Sequence, residues 1–294
     1  MTVVVKLGGA RAVDPAGAVG DLARLVDTDD GPASEAALVH GGSTAVDETL
    51  KRLGIDPEYV ETPSGVVGRF TDAETMSVFE MVLPGRLNTE LVAGLRSEGV
   101  DAVGLSGVDG GLLSGPRRSA VRVSENGKQK IRRGDHSGSP RRVDDTLLET
   151  LLAAGYTPVV SPPMAGIEDR DGEQVVTPVN TDADRAAAAL AAALGATLVI
   201  LTDVPGVLAD PDDETSTIER VETPPGWSRL EAAAEGFMRR KLMAIEAALD
   251  GGAPRAVVAD AGTDHPVQSA LDGGGTQILA GARPDDGESG GAGR

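Results

Sequence analysis

The chain has 294 residues, 40% of them apolar, and no run of about 18 uninterrupted apolar residues, which excludes wholesale disorder and a membrane-spanning helix. It carries 46 acidic against 27 basic residues, a net charge of −19 that repels nucleic acid and anionic membranes. There is no cysteine, and the three histidines, His40, His136 and His265, stand far apart, which removes disulfides, iron–sulfur clusters, thiol catalysis and a His-rich zinc site.

The opening Met1-Thr2-Val3-Val4-Val5-Lys6 lacks a basic segment followed by a hydrophobic stretch. It reads as a strand rather than a signal peptide, and so favours the cytoplasm. Short, branched apolar runs predict buried strands over 3–7, 36–40, 101–105, 158–161, 198–202 and 255–259. Helical spacing predicts helices over 19–26, 44–53, 75–82, 87–98, 145–154, 184–194 and 238–249. Strands alternating with helices specify an α/β protein with a mainly parallel central sheet and helices on both faces. Two hairpins break the rhythm. Segments 120–123 and 128–131 flank Asn126-Gly127, a pair favoured in tight type I′ turns, and 166–177 folds around Asp171-Gly172. Residues 282–294 become acidic and then glycine-rich, and are expected to be a disordered tail.

The first strand ends in Lys6-Leu7-Gly8-Gly9, and the second in Val39-His40-Gly41-Gly42-Ser43, which opens a helix. Glycines there let backbone N–H groups approach a ligand, and a helix N-terminus favours an anion; the same residues also make ordinary tight turns. Both turns lie at the carboxyl ends of early strands, where open α/β sheets bind ligands. Lys6 is one of five lysines against 22 arginines. Inside an apolar strand its ammonium needs a partner or a ligand phosphate, unless it snorkels from an edge. Asn180-Thr181-Asp182-Ala183-Asp184 puts an amide and two carboxylates before an alanine-rich helix, either as an N-cap or as a polar cluster that binds substrate and orients cations. Gly236-Phe237-Met238-Arg239-Arg240-Lys241 sets a lysine on the first turns of another helix. Neither a P-loop nor a His-Arg-Asp catalytic loop occurs.

Taken in order, Lys-Leu-Gly-Gly, Val-His-Gly-Gly, Arg-Phe-Thr-Asp-Ala-Glu-Thr, Leu-Ser-Gly-Val-Asp-Gly-Gly, Asn-x-Asp-x-Asp, Leu-Thr-Asp-Val-Pro-Gly-Val and Gly-x-Met-x-x-Lys resemble the amino acid kinase family, the acetylglutamate kinase branch above all. The match runs from residue 3 to about residue 281. It implies a three-layer αβα sandwich, with an acyl-substrate-binding domain over 1–180 and an ATP-binding domain over 181–281. It implies ATP-dependent phosphorylation of a carboxylate, with Mg2+ carried mainly by the nucleotide, and a homodimer formed through the N-terminal domain. By the same resemblance, Lys6 and Lys241 stabilise the transferring phosphoryl group and Asp184 organises them. Gly41, Gly42, Arg69 and Asn180 fall on the acyl substrate, Arg69 with a bidentate grip on a carboxylate. Gly8, Gly9, Thr202, Asp203, Gly206 and Met238 fall near the nucleotide. Ser43, Asp182 and Phe237 depart from residues usual in the family, a third glycine, an asparagine and a glycine respectively.

Those departures, with Asn-x-Asp-x-Asp-Arg and Gly68-Arg69-Phe70-Thr71-Asp72, resemble the kinases that act on glutamate or 2-aminoadipate attached to an amino-group carrier protein in arginine and lysine biosynthesis. Composition adds an independent argument. Residues 117–142 hold nine basic and two acidic residues, a net +7 that leaves −26 on the rest of the chain. Lys128, Lys130, Arg132 and Arg133 cluster beside the expected turn and are expected to dock a small acidic carrier. Free N-acetylglutamate is the alternative substrate for the same chemistry. A non-catalytic amino-acid sensor of the same fold is the alternative from another class, and the presence of Lys6, Asp184 and Lys241 argues against it.

Overall fold

The computed structural model describes residues 1–8, 15–27, 35–63, 65, 67–125 and 128–283, with Phe237 described through its backbone alone. Gly9, the Asn126-Gly127 turn and positions 284–294 of the expected tail lie outside the described residues. The chain runs β1 (Thr2–Leu7), α1 (Pro15–Val26), β2 (Glu35–His40), α2 (Ser43–Arg52), β3 (Tyr59–Glu61), β4 (Val67–Arg69) and α3 (Ala73–Glu80). A π-helical turn (Met81–Leu87) leads into α4 (Asn88–Ser97), β5 (Ala102–Gly107), β6 (Leu113–Glu125), β7 (Lys128–Gly138), β8 (Arg142–Val143), α5 (Asp145–Ala153), β9 (Thr157–Arg170) and β10 (Glu173–Val179). Then follow α6 (Ala183–Ala193), β11 (Thr197–Thr202), β12 (Arg220–Val221), α7 (Pro224–Ala233), α8 (Gly236–Asp250), β13 (Arg255–Asp260), α9 (Pro266–Leu271) and β14 (Thr276–Leu279).

One large sheet runs β12-β14-β13-β11-β1-β2-β9-β6-β7, with β5 and β10 also on β9 and β8 on β6. The pairings of β1 with β2 and β11, of β11 with β13 and of β9 with β2, β5 and β6 are parallel. Antiparallel pairs close the margins at β13–β14, β6–β7 and β9–β10. Strands covered on both faces read as continuous apolar runs, and β1 shows why. Val3, Val5 and Leu7 point to one core with α1, α4 and α9, whereas Val4 points to the other with α6 and α8. Lys6 shares the Val4 face by the two-residue period of a strand. The buried Ala186, Ala187, Ala188 and Ala191 let α6 lie close on that face.

Every strand and helix expected from sequence is present, with shifted ends. Pro84 does not break the helical run as the separation of 75–82 from 87–98 implies. Its missing N–H falls in the π-helical turn, and α3 continues through it into α4. The expected strand at 158–161 is only the start of the 14-residue β9, whose far end forms the hairpin with β10. Asp171 and Gly172 both take positive φ there, 57° and 86°, as a type I′ turn requires. Sequence periodicity missed β3, β4, β8, β12, β14 and α9, all too brief to show a period, and the ten-residue α7, which opens on Pro224-Pro225-Gly226. No helix among the described residues is long and apolar enough to cross a membrane.

Candidate active site

The register aligns three strand ends. Leu7 pairs with His40 on one side and with Leu201 on the other, so Gly8, Gly41 and Thr202 follow side by side along the carboxyl edge of the sheet. A cavity of about 580 Å3 opens there, lined by Leu7, Gly8, His40, Gly41, Gly42 and Leu87 among others. A second cavity, of about 370 Å3, lies at the base of β6, β8 and β9 and contains none of the candidate residues. Gly42 caps α2 without a side-chain hydrogen bond, and a Cβ on it would run into Leu83 and Leu87. The first-turn N–H groups of α2 therefore stay free of any side-chain cap.

Lys6, on the central strand, reaches α6. Its Nζ lies 2.7 Å from Asp184 Oδ1, and Lys241 Nζ, from the first turns of α8, lies 3.4 Å from Asp184 Oδ2. Asp182 caps α6 by accepting from the Asp184 N–H at 2.8 Å, which fixes the backbone that presents the bridging carboxylate. Three charges are thus shut into a nearly dry site, with Lys6 only 6% and Asp184 7% exposed. Burial alone would raise the Asp184 carboxyl, but the two ammonium groups outweigh it and hold it below the usual carboxylate range. Burial, with the Lys6 charge alongside, lowers the Lys241 ammonium against the pull of Asp184 and Asp182. The net result is a pair of cations oriented by one anion. That is the arrangement needed to receive charge developing on a transferring phosphoryl group.

Arg69, the last residue of β4, reaches the first turns of α2. Its Nη2 donates to Ser43 Oγ at 2.8 Å and to Tyr59 Oη at 2.9 Å, and lies 2.9 Å from Asp47 Oδ1. Tyr59 in turn donates to Asp47 Oδ2 at 2.8 Å, and the Tyr59 and Phe79 rings flank the guanidinium. Nη1 of Arg69 is buried without a hydrogen-bond partner. Asn180 donates from Nδ2 to Thr71 Oγ1 at 3.1 Å. Its backbone is held by β7, with Asn180 N donating to His136 O at 2.8 Å and Gly138 N donating to Asn180 O at 2.9 Å. The family resemblance points to Arg69, and with the polar cluster before α6 to Asn180, but neither points to Asp47, Tyr59, Thr71 or His136. Only the separation of Ser43 and Asp47 by one helical turn was there to be read.

At the expected nucleotide edge, Thr202 is buried at the end of β11 and donates to Asp203 Oδ1 at 3.1 Å. Its carbonyl accepts from Ala261 N at 2.7 Å. Gly206 packs against Thr276 and Thr217, where no Cβ would fit. Met238 lies one turn before Lys241 on α8, its N–H donating to Glu235 O at 2.9 Å.

The basic hairpin divides into bound and free cations. Lys130 pairs with Glu125 at 2.6 Å, Arg132 pairs with Glu58, and Arg117 pairs with Glu168 at 2.6 Å. Arg118, Arg122, Lys128, Arg133, Arg141 and Arg142 form no salt bridge among the described residues. Ile131, 68% exposed, stands directly across from Arg122, with Arg133 two residues on along the same face.

Residues 1–260 match the sequence model of the Amino acid kinase family. The chain belongs to the amino acid kinase family. This amino acid kinase is 41% identical over 282 residues to the [LysW]-aminoadipate kinase of Thermus thermophilus, covering 94% of this chain and 99% of that one. It is 43% identical over 278 residues to the acetylglutamate kinase of Methanopyrus kandleri, with 94% and 99% covered. Giardia carbamate kinase shares the fold, with a TM-score of 0.64 at 17% identity over 95% of this chain and 98% of that one. The amino acid kinase is an ATP-dependent phosphotransferase acting in amino-acid biosynthesis.

Proposed function

We propose that the enzyme transfers the γ-phosphoryl group of ATP to the side-chain carboxylate of glutamate or 2-aminoadipate carried on a small acidic amino-group carrier protein. The observation that carries this reading is the hairpin β6–β7. Its free cations stand out from a chain of net charge −19, and its strand β7 is hydrogen-bonded to Asn180. A carrier needs a docking surface outside the active site; a free metabolite does not. Arg122 and Arg133 would pair with acidic groups around the exposed Ile131, and Lys128 and Lys130, on the other face of β7, would add to the field. The [LysW]-aminoadipate kinase of Thermus thermophilus supports the same reading.

A carboxylate oxygen is already a competent nucleophile, so no general base is required. The new P–O bond forms as the bond to the ADP oxygen breaks in line, and catalysis consists of positioning and charge neutralisation. Lys6 and Lys241 face the developing negative charge and Asp184 keeps both in place. Gly41, Gly42, Arg69 and Asn180 hold the acyl group. Gly8, Gly9, Thr202, Asp203, Gly206 and Met238 hold the nucleotide. In this scheme residues 1–180 form the acyl half and 181–281 the nucleotide half. Both Asp184 oxygens face ammonium groups, so Mg2+ is assigned to the triphosphate, where it offsets phosphate charge. A homodimer is part of the same proposal, and the mass of the enzyme in solution tests it.

Free N-acetylglutamate is the second reading, favoured by the Methanopyrus kandleri relative. ATP turnover with carrier-bound glutamate, carrier-bound aminoadipate and free N-acetylglutamate in parallel separates the two. Turnover of the free substrate alone would overturn the carrier reading.

A further inference from the structure

The cation that sequence alone places in the docking cluster is committed elsewhere. Both terminal nitrogens of Arg132 are bound by the two carboxylate oxygens of Glu58, and the guanidinium lies 4.4 Å from the Phe70 ring centroid. Such a fork-on-fork pair fixes orientation as well as distance. Glu58 and Phe70 are joined to each other, since Phe70 N donates to Glu58 O at 2.9 Å, and they flank the small hairpin of β3 and β4. Within that hairpin Tyr59 is paired with Arg69, and its hydroxyl accepts from the guanidinium. Arg132 therefore grips the base of the segment that carries Arg69.

Further along the same strand, His136 N donates to Thr71 O at 2.7 Å and Asp135 Oδ1 accepts from Thr71 N at 3.3 Å. The next contacts are the two backbone hydrogen bonds to Asn180. One strand, β7, is thus attached in sequence to the Arg69 segment, to Thr71 and to Asn180.

We propose that Arg132 is a positioning residue: by clamping Glu58 and Phe70 to β7 it sets Arg69 in register with Asn180, so that both grip one acyl substrate. The inference rests on the reading that Arg69 and Asn180 hold that substrate. It assigns Arg132 to the substrate site rather than to the carrier. Lysine at 132 would lose the planar two-bond grip and the ring stacking, while glutamine at 58 would lose the charge but keep the shape.

The test compares Arg132→Lys, Glu58→Gln and the double variant with the wild-type enzyme. Steady-state kinetics with the carrier-linked amino acid and with ATP are measured alongside the affinity for the carrier bearing no amino acid. Positioning predicts that each single change raises KM for the acyl substrate about two- to fivefold, the loss of one half-exposed ion pair. It predicts unchanged kcat, unchanged KM for ATP and unchanged affinity for the bare carrier. The double variant should be no worse than the worse single. A docking role predicts the opposite pattern. Glu58→Gln would then behave as wild type, and Arg132→Lys would weaken binding of the bare carrier; that result overturns the proposal. If the wild-type enzyme turns over only free N-acetylglutamate, the carrier reading falls but the clamp is still tested. The same rise in KM is then expected for that substrate, and its absence in both variants overturns the clamp.

Discussion

The guanidinium of Arg69 is ion-paired with Asp47 of the same chain, at 2.9 Å, with the side chain of Arg69 only 5% exposed. An arginine buried so fully cannot go unpaired, and Asp47 supplies the counter-charge while leaving Nη1 without a partner. A substrate carboxylate would thus meet a guanidinium already oriented by Ser43, Tyr59 and Asp47. Arg69→Lys removes the planar donor pair, and KM for the acyl substrate should rise roughly tenfold with kcat less affected. An unchanged KM would show that Arg69 serves only to hold Asp47 and Tyr59.

Lys6→Ala and Lys241→Ala should act on kcat rather than on KM. Each removes a cation aimed at the transferring group, a loss of roughly 2.7–4 kcal/mol or about 10²–10³ in rate. Pre-steady-state turnover measures this directly, and a wild-type kcat in either variant removes that lysine from the mechanism.

The lowered Lys241 ammonium gives kcat an alkaline limb below the ordinary lysine value of 10.5, because the protonated form is the active one. Asp184 raises that ammonium's affinity for its proton. Removing the carboxylate in Asp184→Asn should therefore move the limb to lower pH, as well as lowering kcat. A pH–rate profile of each enzyme decides the point; a limb that stays put would mean that another group titrates.

His40 is buried beneath the glycine turn, 2% exposed. Its Nε2 accepts from Asn88 Nδ2 at 3.2 Å and its Nδ1 donates to Gly41 O at 2.9 Å. Burial pushes its pKa down to about 4 from 6.5. The unfolded chain therefore binds a proton that the folded one refuses, and stability falls as pH drops from the unfolded value towards the folded one. At pH 5 this contribution amounts to a loss of about 2 kcal/mol relative to neutral pH. Urea unfolding of wild type and His40→Gln at pH 5 and pH 7.5 should show the wild type losing that much more than the variant. Parallel losses would refute the assignment.

Docking of the carrier is tested at the free cations. Lys128→Glu with Arg133→Glu should raise KM for the carrier-linked substrate and leave KM for ATP unchanged. At about 1 M salt the Debye length shrinks to about 3 Å, so any effect that survives reports direct contacts rather than long-range steering. Equal KM values for both enzymes at every salt concentration would remove the hairpin from recognition.

Much of this architecture was legible in the sequence because buried parallel strands are apolar throughout and glycine turns end them. Lys6 stood out because a lysine between Val5 and Leu7 must be paid for by a partner, and Asp184 proved to be that partner. What stayed hidden were contacts made across the fold. Asp47, Tyr59 and Glu58 are ordinary surface-type residues whose meaning comes only from Arg69 and Arg132, which lie 22, 10 and 74 positions away. Part of the split of the basic island into bound and free cations was invisible for the same reason, since Glu58 and Glu168, the partners of Arg132 and Arg117, are remote from the hairpin in the chain.

The position of β1 constrains how the molecule can be made. It comes before β2 and β11 in the chain, yet it takes its place between them, residue 197 of β11 pairing with Val3. Until the ribosome has delivered β11, the edge of β1 that will meet it, from Val3 to Leu7, has no neighbour on that side. Pairing over such a chain distance is slow, and an apolar edge left open is prone to join other chains. Splitting the gene near residue 180 would leave the first fragment with that edge permanently bare. The two fragments would be expected to become soluble only when produced together.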